Sequence, residues 1–196
     1  MMGTRGVPAL YGGFETAVEE IGKRLAARGY DVTVYCRNPG QTLTQYEGMR
    51  LVNLPAVRHR MAETLSHTAA STAHAIVKDR PDVCLLLNAG NAPLLKPLAL
   101  AGIPTAIHLD GLESKREKWR GMGAKYYRWA EKASVRQGVE VIADPRALGQ
   151  GGACRWAPLM SVPSILGVTP DTVPVALSAA VATALTAAAS CNELAV

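Results

Sequence analysis

Two stretches of the chain hold residue types that could do chemistry. One is the pair His108 and Asp110, on either side of Leu109 at the end of the apolar run 103–109. Alternate residues of a strand face the same way, so both side chains can look into one crevice. A carboxylate leaving a strand end can accept a hydroxyl proton as a general base or hold a sugar hydroxyl. The plainer alternative is that Asp110 caps a turn with Gly111 and His108 is a wall residue. The other stretch is the opening, Gly3-Thr4-Arg5-Gly6-Val7-Pro8-Ala9-Leu10-Tyr11-Gly12-Gly13-Phe14-Glu15-Thr16. A glycine loop that runs into a helix offers backbone N–H groups and the positive end of a dipole to an anion; a glycine turn that only joins two elements would look the same. No Gly-Lys-Ser/Thr follows, and the glycines do not fit Gly-x-Gly-x-x-Gly, which argues against a Walker site and a dinucleotide fingerprint.

The elements that must position these residues follow from periodicity. After Glu15, Ala17, Val18, Ile21 and Leu25 share one helical face, Thr16 and Glu19 have capping-box spacing, and Gly29 suits the helix end. Only Met1 and Met2 precede Gly3, so the strand expected ahead of such a loop is missing or a stub. Residues 30–36 read as a strand that ends in Arg37, where a ribose-binding acid would serve NAD. Residues 38–49 read as a polar loop and 50–54 as a second strand. Residues 61–78 read as a helix with Leu65, Ala69, Ala73, Ile76 and Val77 on its core side. On it His67 and His74 are seven residues apart, too far for the usual shared metal ligation, and His59 has no evident partner.

The run 83–87 suits a strand buried on both faces, followed by the turn-rich Asn88-Ala89-Gly90-Asn91. A helix at 92–101 with Pro93 in its first turn, a strand at 103–109, a helix at 121–136 and a strand at 139–143 complete the alternation. The fold class is therefore α/β, with one parallel sheet covered on both faces. The glycine loop, the Asn88 loop and residues 108–113 are expected along one edge of it.

Composition sets limits. With 196 residues, 48% hydrophobic and 19% charged, the chain can bury a sizeable core, but a single Phe leaves that to Leu, Val, Ile and Ala. A net charge of +5 suits an anionic small ligand or membrane surface and is too diffuse to indicate nucleic acid. Cys36, Cys84, Cys154 and Cys191 show no metal-ligand spacing. Reduced thiols and the lack of a signal peptide point to the cytoplasm. Residues 115–136 interleave Lys115, Arg116, Lys118, Arg120, Lys125, Arg128, Lys132 and Arg136 with Trp119, Tyr126, Tyr127 and Trp129. That pattern suits peripheral contact with an anionic membrane or a lipid-linked substrate; a solvated helix with inward aromatics is the alternative.

Two motifs carry a resemblance. Residues 3–16, as Gly-Thr-Arg-Gly-Val-Pro-x-x-Tyr-Gly-Gly-Phe-Glu-Thr, resemble the opening of bacterial family 4 glycosyltransferases, closest to the rhamnosyltransferase-like group. Asp110-Gly111-Leu112-Glu113-x-Lys115-Arg116-x-Lys118-Trp119 resembles that group's second signature. The resemblance covers about residues 3–148 and implies the N-terminal, acceptor-side, Rossmann-like half of a GT-B fold, with a nucleotide-sugar as substrate and no metal or other cofactor. It also implies that Gly12 and Gly13, with Arg5, meet the donor's diphosphate. Asp110 and, more weakly, His108 would be catalytic, and Glu113, Lys115 and Arg116 would form the acceptor loop. The acceptor would be a polysaccharide or lipid-linked glycan.

Ser114 stands where the group usually has Trp, Pro145 where Ser is typical, and the first strand is nearly absent. Residues 150–196 do not resemble the donor-binding domain. From 151 on only Arg155, Asp171 and Glu193 are charged, and alanines crowd 176–189. The expected division is therefore a domain at 1–149 and an irregular or helical Ala-rich tail at 150–196. That tail is expected to be a truncated or out-of-frame replacement of the donor domain, leaving a chain without turnover. Two other functions fit parts of the pattern: a non-catalytic acceptor- or partner-binding module that pairs with a separate donor domain, and an NADP-type oxidoreductase suggested by Arg37.

Overall fold

The computed structural model describes residues 1–10, 12–37, 40–57, 62–109, 121–137 and 140–143. These fall into two units: Gly6–Asn53, and Met1–Arg5 together with the residues from Leu54 onward.

In the Gly6–Asn53 unit, helix α1 (Gly13–Ala26) precedes strands β1 (Thr33–Cys36), β2 (Gln45–Tyr46) and β3 (Met49–Asn53). The sheet order is β1-β3-β2, with β1 parallel to β3 and β2 antiparallel to it. The short β2 sits inside the segment read from sequence as loop. Its hairpin turn places Glu47 at φ 47° and Gly48 at φ 77°, the paired positive angles of a type I′ turn. Helix α1 buries Val18, Ile21 and Leu25 as the periodicity predicts, and also Gly22. A Cβ at Gly22 would lie 2.2 Å from Met49 Sδ, so this glycine lets the helix close on β3.

The expected capping box does not form. The helix starts at Gly13, which places Thr16 inside its first turn, where its hydroxyl donates to the Gly12 carbonyl at 3.2 Å. Glu19 instead reaches back along the entry loop to accept from the Ala9 N–H at 2.6 Å and from the Tyr46 hydroxyl at 3.2 Å.

The other unit holds α2 (Glu63–His74), a π-helical turn Ala75–Asp79, β4 (Cys84–Leu87), a 3₁₀ helix Ala89–Leu94, α3 (Leu95–Leu100), β5 (Thr105–Leu109), α4 (Met122–Arg136) and β6 (Glu140–Ala143). Strands β4, β5 and β6 run parallel in that order. The described strands thus form two three-stranded sheets rather than the single sheet expected. The strand anticipated ahead of the glycine loop is reduced to one parallel bridge, Met2 to Leu86, held by Met2 N–H to Leu85 C=O at 3.0 Å and Leu87 N–H to Met2 C=O at 2.9 Å. The 92–101 helix also differs: its first part belongs to the 3₁₀ segment, which contains Pro93, and α3 proper begins at Leu95.

Helix α2 corrects a further expectation. Its buried residues are His67, Thr68, Ser71 and Thr72, while Ala69, Ala73 and Val77 are exposed. The apolar count misjudged the face because short hydroxyls satisfy themselves. Thr68 donates to the Thr64 carbonyl and Ser71 to the His67 carbonyl, each at 2.8 Å, so they enter the core without needing distant partners. Thr72 packs its hydroxyl 3.6 Å from the buried Met2 sulfur. A π turn follows and closes at Arg80, φ 42°, whose N–H returns to the Ala75 carbonyl at 2.7 Å.

Cys36 and Cys84 are free and buried, as the sequence suggested, and burial pushes both thiols above their ordinary pKa. At pH 8 both are therefore expected to react with a water-soluble disulfide reagent at least about tenfold more slowly in the native than in the unfolded chain; equal rates would contradict their placement. Cys154 and Cys191, and the division of the chain at 149–150, lie outside the described residues.

Candidate functional site

The C-terminal end of β4 is built with strain. Asn88, the first residue past the strand, has φ 75° and ψ 126°, a region that costs a non-glycine residue about 1–3 kcal/mol. Three hydrogen bonds hold it there. Its N–H donates to the His108 carbonyl at 3.0 Å, its Oδ1 accepts from the Gly90 N–H at 2.8 Å, and its carbonyl accepts from the Asn91 N–H at 3.0 Å. Strained backbone that its surroundings over-determine gathers at functional sites, and the outer ends of parallel strands are where α/β ligands bind.

Helix α4 packs on this turn. The Tyr126 hydroxyl donates to the Gly90 carbonyl at 2.7 Å, and burial raises its pKa. The Tyr127 ring stands edge-on to it, centroids 5.8 Å apart and planes at 79°. Together with Thr64, Leu65, Asn88, Gly90 and Asn91 these two rings line a recess of about 30 Å³. The Asn88–Asn91 loop is recognisable in the sequence, whereas Tyr126 and Tyr127 stand there only as members of a basic-aromatic helix. Their spacing gives no sign that one of them pins a loop 36 residues away in sequence.

His108 lies on β5, paired in register with Leu87 of β4 and Ile142 of β6. It is half-buried between the buried Ile107 and Leu109, with Nδ1 sealed from solvent. Its carbonyl accepts from the Asn88 N–H and so joins it to the Asn88 turn. Asp110, Glu113, Lys115 and Arg116 lie outside the described residues. His59 does too; with Asp110 undescribed, only the histidine of the His108–Asp110 pair is placed. His67 is fully buried, and His74 Nδ1 sits 3.4 Å from Asp79 Oδ2. No group of three metal-ligating side chains occurs among the described residues.

In the other unit, the approach to α1 is pinned from two sides. Gln41 Nε2 donates to the Val7 carbonyl at 2.8 Å, and Glu19 holds the Ala9 N–H. A Cβ at Gly6, φ 103°, would lie 2.4 Å from Cys36 Sγ, so this part of the loop can press on the strand only as glycine. Beyond it Leu10, Gly12 and Gly13 are exposed. Gly12 is the N-cap in extended conformation with no side-chain cap, and a Cβ on Gly13 would meet nothing within 4 Å. The first intrahelical bond runs from Thr16 N–H to Gly12 C=O at 3.1 Å. The N–H groups ahead of it point out of the helix end. Arg5 is half-buried and belongs to the unit that carries β4.

Helices alternating with small, mainly parallel sheets define an α/β protein. The model of the glycosyl transferase 4-like domain matches residues 12–151, well over half of the chain, and the chain belongs to that family. No curated protein matches it.

Proposed function

We propose that the chain is the acceptor-side half of a GT-B glycosyltransferase. It would move a rhamnose- or mannose-like sugar from a nucleotide-sugar to a polysaccharide or lipid-linked glycan. The observation that carries this reading beyond the family is the α1 N-terminus, where a loop anchored through Val7 and Ala9 delivers two exposed glycines with open space around Gly13. In the transfer, the bond from the anomeric carbon to the diphosphate breaks, and one to an acceptor hydroxyl forms. Charge builds on the leaving diphosphate, and fixed N–H donors stabilise it without reorganising. Gly12 and Gly13 take that role, with Arg5 as a cationic partner. Asp110 accepts the proton of the attacking hydroxyl, His108 supports it, and Glu113, Lys115 and Arg116 hold the acceptor. The chemistry needs no metal.

Release of nucleoside diphosphate from a panel of nucleotide-sugars tests the proposal. The purified chain, supplied with a family donor domain as a separate polypeptide, is expected to release it. No release from any nucleotide-sugar of the panel contradicts the transferase reading.

The chain would work in the cytoplasm at the membrane's inner face. No helix among the described residues is long and apolar enough to cross a membrane. On α4, however, Met122, Lys125, Arg128, Trp129, Lys132 and Arg136 are all exposed. At 100° per residue they fall in one stripe without an acidic residue. Anionic lipid attracts each such cation by about 1 kcal/mol. Vesicles with one-third anionic lipid are therefore expected to retain the chain, and the double substitution Lys125→Glu, Lys132→Glu to weaken retention at least about tenfold. Equal retention of both proteins would remove the membrane role.

A further inference from the structure

Glu19 spends its carboxylate on two donors from outside its own helix. Oε2 accepts from the Ala9 N–H at 2.6 Å and Oε1 from the Tyr46 hydroxyl at 3.2 Å. The first bond is short for N–H···O, as it is when the acceptor carries a full charge. Ala9 belongs to no helix or strand, so no ladder fixes it. Only Leu10 and Tyr11 stand between it and Gly12. Glu19 therefore folds the approach loop back on the helix that the loop opens, and holds the chain just ahead of the glycine pair.

The carboxylate is itself held. Tyr46 pairs with Met49 across the β2–β3 hairpin, and Met49 packs on Gly22, one helical turn beyond Glu19. The hairpin thus meets one face of α1 at both residues. Desolvation first, and the Glu19 charge after it, raise the Tyr46 pKa, so the hydroxyl keeps its proton and goes on donating.

We infer that Glu19 is a positioning residue for diphosphate binding: its carboxylate, steadied by Tyr46, fixes Ala9 and so sets where the N–H groups of Gly12 and Gly13 point. The inference rests on the proposed function and adds to it a residue that touches no substrate. Donors that are already fixed stabilise charge without first being ordered. Freeing Ala9 would return to the two glycines the conformational freedom that glycine has in excess.

Positioning and charge make opposite predictions. A carboxylate near an anion site repels the anion, so removing its charge alone tightens binding. Glu19→Gln removes the charge and keeps the anchor, because the amide oxygen still accepts from Ala9 and the NH₂ donates to the Tyr46 oxygen. Glu19→Ala removes both.

The test is an NMR titration of the isotope-labelled full chain with inorganic pyrophosphate, read at the Gly12 and Gly13 amides, with hydrogen exchange followed at Ala9. Glu19→Ala should weaken binding about tenfold, the worth of one charge-assisted hydrogen bond, and speed exchange at Ala9 at least about tenfold. Glu19→Gln should bind at least as tightly as the unsubstituted chain, with Ala9 still protected. Tyr46→Phe, which keeps every residue of α1, should weaken binding about threefold and serves should Glu19→Ala disturb the helix. Undiminished or tighter binding in Glu19→Ala would overturn the positioning role, as would a loss in Glu19→Gln equal to that in Glu19→Ala. Where Glu19→Ala does not fold, undiminished binding by Tyr46→Phe would do the same. Gly12 and Gly13 amides that stay unmoved in the unsubstituted chain would count against the diphosphate reading itself and remove this inference with it. Binding there that the variants leave unchanged removes the inference alone.

Discussion

Replacing Gly3 by alanine is expected to cost about 3 kcal/mol or more and to lower the melting temperature by roughly 10 °C. Gly3 has φ 106°, and a Cβ there would lie 2.3 Å from the Leu87 carbonyl oxygen, 2.9 Å from Asn91 Nδ2 and 3.0 Å from the Leu87 N–H nitrogen. The obstacle is mainly backbone, and that backbone is fixed. Leu87 N–H is already bonded to Met2 C=O at 2.9 Å, and its carbonyl already receives the Asn91 amide at 2.7 Å. The methyl group must therefore break either the Met2 bridge or the Asn91 anchor. Gly29→Ala is the control. Gly29 also has positive φ, 87°, but a Cβ there would meet nothing within 4 Å, so only the conformational cost of about 1 kcal/mol remains. Thermal melts of the two variants should differ clearly. Equal losses would mean that the close approach of Gly3 to Leu87 does not exist in solution.

Gly13→Asp is expected to leave stability unchanged or slightly raised and to weaken nucleotide-sugar binding by about tenfold or more. The two effects have opposite signs for one reason. At the first position of α1 a side chain meets open space, and a carboxylate there complements the positive end of the helix, worth about 0.3–1 kcal/mol. That same charge would lie where a diphosphate has to sit, and like charges within a few ångströms in a partly desolvated site cost several kcal/mol. Melting and calorimetric titration of one variant separate the two. Undiminished affinity would place the diphosphate elsewhere, and a falling melting temperature would mean that the helix does not begin at Gly13.

Much of the fold was legible in the residues, for identifiable reasons. Continuous apolar runs gave β4 and β5 because strands buried on both faces need no alternation. The α4 boundaries followed from Gly121 and the spacing beyond it. Three features escaped. The buried face of α2 is polar because Thr68 and Ser71 bond within their own helix, which no hydropathy pattern reports. The role of Glu19 depends on where α1 starts, and the glycines that start it lack the usual signal of a side-chain cap. The β2 hairpin hides in a polar stretch because Glu47-Gly48 is a less usual type I′ pair than Asn-Gly.

The candidate site was legible in part. The glycine pair and the Asn88 turn could be named from position and residue type. The contribution of Tyr126, which fixes Gly90 from across the fold, depends on tertiary packing and left no local trace.

In the proposed function, the N–H groups opening α1 bind the diphosphate of a nucleotide-sugar. The most direct measurement of that binding is a two-dimensional NMR titration of the labelled full chain with a nucleoside diphosphate, read at the amides of Gly12, Gly13 and Phe14. Shifts are expected that saturate in the millimolar range, on the order of 4 kcal/mol of binding, and that vanish in Gly13→Asp. Amides at α1 that stay unmoved at saturating diphosphate would contradict it.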